Sequence, residues 1–127
     1  MSEEKIVEGI FDGQNMRGND DNMYPVPPNY ASKSKLVQGD GLKLTIEDDG
    51  SFVFKQISPA DRKRVIASAQ KDASGNLIVD IGGENYRVLS ATATYFNLEP
   101  GDKVVALISK KTFDGTKWAA IENKIFD

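Results

Sequence analysis

The chain has 127 residues, 39% of them hydrophobic and 28% charged, with a formal net charge of -3, the composition of one globular domain. It contains no cysteine and no histidine, which excludes disulfides, thiolate nucleophiles, the usual zinc ligands and the commonest general base. No run approaches the ~20 apolar residues of a membrane span, and Met1-Ser2-Glu3-Glu4-Lys5 is acidic where a signal peptide would be basic, so a cytoplasmic protein with no membrane partner is expected.

Residues 1 to 28 carry two basic against six acidic residues, while the rest carries 14 against 13. The first 23 residues mix Gly9, Gly13 and Gly18 with Asn15, Asn19, Asp20, Asp21 and Asn22 and keep no steady period, which predicts an acidic, flexible tail. Its apolar residues Ile6, Val7, Ile10, Phe11 and Met16 could dock on a protein partner. In Tyr24-Pro25-Val26-Pro27-Pro28-Asn29-Tyr30 the prolines fix φ and predict an extended lead-in. The domain is therefore expected at residues 29 to 127, after a tail and lead-in at 1 to 28.

From Leu42 the pattern is β. Leu42, Leu44 and Ile46 alternate with polar residues, Asp48-Asp49-Gly50 turns the chain, and Phe52, Phe54 and Gln56 complete a hairpin. Ser58-Pro59-Ala60-Asp61 has the chemistry of a short helix start. Arg64 to Lys71 reads as helix or strand; the strand is preferred because Asp72 to Gly75 is a turn signal and Leu77, Val79 and Ile81 then alternate cleanly. Gly82-Gly83 leads into a third hairpin carrying Tyr86, Val88 and Ser90. Val104, Ala106 and Ile108 precede a turn at Phe113-Asp114-Gly115 and a last strand around Trp118 and Ala120. Such spacing predicts an all-β fold, a small single barrel of about six to seven strands.

Leu36-Val37-Gln38-Gly39-Asp40-Gly41-Leu42 and Leu98-Glu99-Pro100-Gly101-Asp102-Lys103-Val104 share one pattern, an irregular segment, Gly-Asp, then a strand. Glycine takes a backbone conformation closed to other residues, and the aspartate can bond main-chain amides and pin the turn. The pattern resembles the Gly-Asp box of the cradle-loop barrels, which include double-psi barrels. That resemblance implies a barrel with an internal pseudo-twofold repeat in which Gly39, Asp40, Gly101 and Asp102 are structural turn residues. The same Pro-Gly-Asp signal also suits an SH3-like barrel. The segment Tyr24 to Asp40, with Phe54-Lys55-Gln56-Ile57, Thr94-Tyr95-Phe96 and Trp118-Ala119-Ala120-Ile121-Glu122-Asn123, resembles a group of small proteins from candidate-phylum bacteria with reduced genomes, and that resemblance implies no particular activity.

The charged residues suggest binding rather than catalysis. Lys33, Lys35, Lys55, Arg62, Lys63 and Arg64, with Tyr30 and Tyr95 available to stack on bases, make a candidate face for RNA or DNA. The acidic tail would then compete for that face. Neighbouring acids such as Asp48 and Asp49 point to opposite faces of a strand and make no general acid/base pair, and no calcium loop, Walker loop or dinucleotide fingerprint occurs. The expected protein is a non-enzymatic binding module of the transcription or translation machinery, with no cofactor, no metal and no catalytic residue. A protein-interaction adaptor or homo-oligomer is the alternative, and a small-molecule or catalytic barrel the third reading.

Overall fold

The computed structural model describes residues 4 to 113 and 115 to 126. Among these the chain runs β1 (Lys5–Phe11), β2 (Asn15–Gly18), β3 (Met23–Pro25), α1 (Pro28–Lys33), β4 (Gly41–Ile46), β5 (Phe52–Ser58), β6 (Arg62–Lys71), β7 (Leu77–Ile81), β8 (Glu84–Arg87), α2 (Ser90–Phe96), β9 (Lys103–Ser109) and β10 (Ala120–Ile125). The fold is mostly β, with two five-stranded antiparallel sheets that do not close, of order β3-β2-β1-β4-β5 and β10-β9-β6-β7-β8. Ten strands thus replace the expected six or seven. Read from its other edge, the second sheet is β8-β7-β6-β9-β10, the order of the first with every strand number raised by five. The repeat is therefore wider than its two Gly-Asp boxes. Each half is three strands, a short helix, a box and two strands.

The expected tail at residues 1 to 28 is corrected by this arrangement. Strand β1 is the middle strand of the first sheet, paired with β2 on one side and β4 on the other. Val7, Phe11, Met16 and Val26 join Ala31, Leu36, Leu42 and Leu44 in the first of two hydrophobic cores. The acids of this segment are built into its turns. Asp12 accepts the backbone N–H groups of Gln14 and Asn15, and Asp20 accepts the Tyr24 hydroxyl and the Asn22 amide. That hydroxyl, more than any other group, holds the Asp20 carboxyl below its ordinary value.

The proline segment is also not a uniform lead-in. Tyr24 and Pro25 end β3, and Pro28 sits in the first turn of α1, where a missing N–H costs nothing and the fixed φ suits the helix. The hairpins expected from alternation are present as β4–β5, β6–β7 and β7–β8, and residues 62 to 71 are strand. Residues 59 to 61 are an irregular link with no helix. Strand β8 stops at Arg87, and Ser90 starts a helix rather than continuing the hairpin. Asp114, of the turn expected at Phe113-Asp114-Gly115, lies outside the described residues.

The second core gathers Val79, Val88, Leu98, Val104, Ala106, Ile108 and Ile121. The halves meet along a seam where α1 packs on α2 and Leu89 packs against the first core. Gln38 from the first box donates to the Thr116 carbonyl at 3.2 Å and accepts the Trp118 N–H at 3.1 Å. Trp118 lies so close to Gly13, whose φ is +115°, that a Cβ there would stand 2.2 Å from the ring. At the far edge Arg87 pairs with Trp118 in a lone parallel bridge, its N–H donating to the Lys117 carbonyl at 2.8 Å.

Candidate functional site

The two Gly-Asp boxes are built alike. In each, a residue of left-handed φ, Lys35 or Asn97, follows the helix, and the Leu36 or Leu98 N–H closes on the carbonyl of Ala31 or Ala93. In each, the aspartate carboxylate accepts the N–H three residues earlier, at 2.8 Å from Val37 to Asp40 and 2.8 Å from Glu99 to Asp102. Gly39 and Gly101 have φ of +101° and +94°, a region open to glycine and strained for other residues.

Asp40 is fully buried, and besides Val37 it accepts the Ala60 N–H and the Gln56 amide, both at 2.8 Å, and the Arg62 guanidinium. Asp102 is half-buried and pairs with Lys124 at 3.1 Å. The Glu99 N–H, then Lys124, lowers the Asp102 carboxyl from its ordinary value. Gln56 stands opposite Leu42, and Lys124 stands opposite the equivalent Val104, so the last strand of each half supplies the side chain that holds its box.

The six expected basic residues do not form one face. Arg62 is spent on Asp40 and donates its Nε–H to the Ala60 carbonyl at 3.0 Å, so its role is structural. Lys63 is its neighbour on β6 and turns to the opposite side, into a separate groove. Lys55 is exposed on the edge strand β5, opposite Lys43. Tyr30 is half-buried, packs on the first core and stacks on Phe54 with ring centroids 6.3 Å apart, so it is no free platform.

Lys33, Lys35 and Tyr95 do come together. They line a groove of about 180 Å³ with Ser32, Phe96 and Glu122, between the C-terminal ends of α1 and α2. Tyr95 is 71% exposed, and its ring is held edge-on by Phe96 with centroids 4.9 Å apart. Arg64 reaches the same place through Glu122, which accepts from its guanidinium at 2.9 Å and raises its pKa. The groove therefore combines cations from both halves with one ring open to solvent.

The chain matches no family model, no curated protein and no solved structure. A second basic groove, of about 210 Å³, lies where β6 starts and β9 ends, on the side of β6 away from Arg64, lined by Lys63, Lys110, Lys111 and Lys117 with Glu84 and Trp118. Sequence reasoning overlooked Lys110, Lys111 and Lys117. They stand on either side of Asp114-Gly115 in the sequence, and only their density around that pair could have drawn notice.

Proposed function

We propose that this chain is a non-enzymatic binding module for single-stranded RNA or DNA, using the groove between α1 and α2. The convergence of Lys33, Lys35 and an exposed Tyr95 from sites some 60 residues apart carries this reading. Two ammonium groups beside a solvent-facing ring suit a backbone phosphate next to an unpaired base, since stacking uses the π-face that every base has. Duplex ends offer fewer free faces, so single strands are favoured. A cradle-loop kinship belongs to the same reading. The matching boxes of the two halves support it, and the Arg87–Trp118 bridge, which curls the second sheet toward closure, supports a barrel-like relative.

Fluorescence anisotropy with labelled single-stranded RNA and duplex DNA at low and physiological salt tests the proposal. Salt-sensitive binding is expected, in the non-specific range of about 10⁻⁴ to 10⁻⁶ M and tighter for the single strand. Tyr95→Ala should cost about 1–3 kcal/mol. Lys33→Gln with Lys35→Asn, the asparagine chosen to keep the left-handed backbone, should flatten the salt dependence. Binding that ignores all three substitutions would overturn the proposal.

A second reading rests on the outer face of the first sheet. Ile6 is 59% exposed, and Ile10, Met23 and Val53 lie half exposed on the same face, since Ile6 and Val53 flank Thr45 and Ile10 and Met23 flank Arg17. Strand β5 at its rim leaves one side of its ladder unpaired. Such a face suits self-association or a protein partner. If it joins copies of this chain, sedimentation velocity will show a concentration-dependent dimer that Ile10→Lys abolishes; a monomer throughout removes the homo-oligomer.

A further inference from the structure

The groove around Lys63, Lys110, Lys111 and Lys117 is far from a random patch of surface lysines. Its β9–β10 loop is fastened to the first half at several points. Gln38 holds Thr116 and Trp118 by hydrogen bonds, and the Phe113 ring lies so near Gly39 that a Cβ there would stand 3.0 Å from it. The Lys110 N–H donates to the Asp61 carbonyl at 2.9 Å, and the Lys111 N–H to the Ser109 hydroxyl at 3.1 Å. The backbone that carries the lysines is thus fixed before any ligand arrives, which lowers the ordering cost of binding.

Among the described residues its charge is unbalanced. Among the described lining residues there are four ammonium groups and one carboxylate, and Glu84 is taken by Lys117 at 2.7 Å. Among the described residues none pairs with the side chains of Lys63, Lys110 or Lys111. Holding three like charges around one concavity costs stability through mutual repulsion unless an anion settles between them. The Arg87 guanidinium adds to the field from 4.9 Å over the Trp118 ring. A volume of about 210 Å³ equals that of roughly seven waters, enough for linked phosphates.

We propose that this groove binds the linked phosphates of a polyphosphate, either inorganic or the tail of a nucleoside triphosphate. Lys63, Lys110 and Lys111 supply point charges to separate phosphate oxygens. Phe113 and Trp118 fix the wall and shed water from it. The site is independent of the groove between the helices and stands or falls without it.

Trp118 is the chain's one tryptophan and lines the groove, so its emission reports occupancy directly. Full-length protein is titrated with tripolyphosphate, ATP, AMP and inorganic phosphate at low salt, following emission and the thermal midpoint. A saturable change is expected with tripolyphosphate and ATP, with a rise in midpoint, as for any ligand that binds only the folded state. AMP and inorganic phosphate should bind about tenfold more weakly or less. Equal affinities for tripolyphosphate and ATP identify the phosphate chain alone as the ligand, and a tighter ATP adds a base contact at the rim.

Lys110→Ala with Lys111→Ala changes exposed positions and relieves that repulsion, so the ligand-free midpoint should be no lower than that of the parent while tripolyphosphate binds about tenfold more weakly. Lys33→Gln with Lys35→Asn should leave this binding unchanged, which separates it from the nucleic-acid reading. No saturable response up to about 1 mM tripolyphosphate, the weak limit worth calling a site, overturns the proposal, as does equal binding by the Lys110/Lys111 variant.

Discussion

A chain beginning at Asn29 is expected not to fold. Truncation there removes β1, β2 and β3, three of the five strands of the first sheet, and takes Val7, Phe11, Met16 and Val26 out of the first core, where Phe11 and Met16 are fully buried. Truncating one buried phenylalanine to alanine costs about 3–5 kcal/mol, and a domain has about 5–15 kcal/mol in all. Losing four buried residues and three strands exceeds that margin. The damage also crosses the seam, because Gly13 leaves with the segment and the Trp118 ring loses the backbone it packs on. Urea denaturation followed by circular dichroism should show no cooperative transition for the truncated chain. Phe11→Ala in the full chain should keep the transition and lose about 3–5 kcal/mol. A truncated chain with the parent's β signal and a sharp transition would restore the tail to a dispensable appendage.

Asp40→Ala should be the most damaging single change to a charged residue. It strips partners from the Val37 and Ala60 N–H groups, the Gln56 amide and the Arg62 guanidinium at once. Breaking a buried ion pair from one side costs about 3–5 kcal/mol, because the remaining charge stays without its counterion. Partial exposure of Arg62 tempers that figure, and two orphaned backbone donors restore it. Asp102→Ala removes the matching contacts in the second half, where the carboxylate is half-buried and Lys124 can turn to water, so its urea midpoint should fall by much less. Asp40→Asn should lie between the two. Equal losses for Asp40→Ala and Asp102→Ala would show that the two boxes carry the same weight.

How much of this was legible differs along the chain. Strands β4, β6 and β9 declare themselves because buried residues, such as Leu42 with Leu44, Ala67 with Ala69 and Val104 with Ala106, recur every second position. Strand β1 inverts that signal. Its inward positions are Val7, Gly9 and Phe11, with glycine in the middle because a Cβ there would meet the Arg17 carbonyl, while Ile6 and Ile10 face outward. A sequence with apolar residues on the solvent side and glycine on the core side looks patternless. The helices were hidden by brevity, since six or seven residues barely complete two turns and Ala91-Thr92-Ala93-Thr94 alternates as a strand would.

For the site, residue type was legible and juxtaposition was not. Lys33 and Tyr95 are brought to one groove only by the packing of α1 on α2. Arg62 and Lys63 are adjacent in sequence, and the pleat of β6 sends one to a buried carboxylate and the other to a different groove. Nothing in the run Arg62-Lys63-Arg64 tells which of its three cations a buried acid will claim.

The strand pairing of the fold bears on how the chain emerges during synthesis. Every ladder joins strands of the same half, so no strand of residues 5 to 58 waits for a partner in the second half. Contacts that stay within a half keep loop closures short, which favours rapid folding and lets the first half form its sheet while the second is still being made. Ala60 and Arg62 complete the partners of Asp40 as soon as the opening residues of β6 clear the ribosome, and Leu89 and Trp118 close the seam on the first half only later.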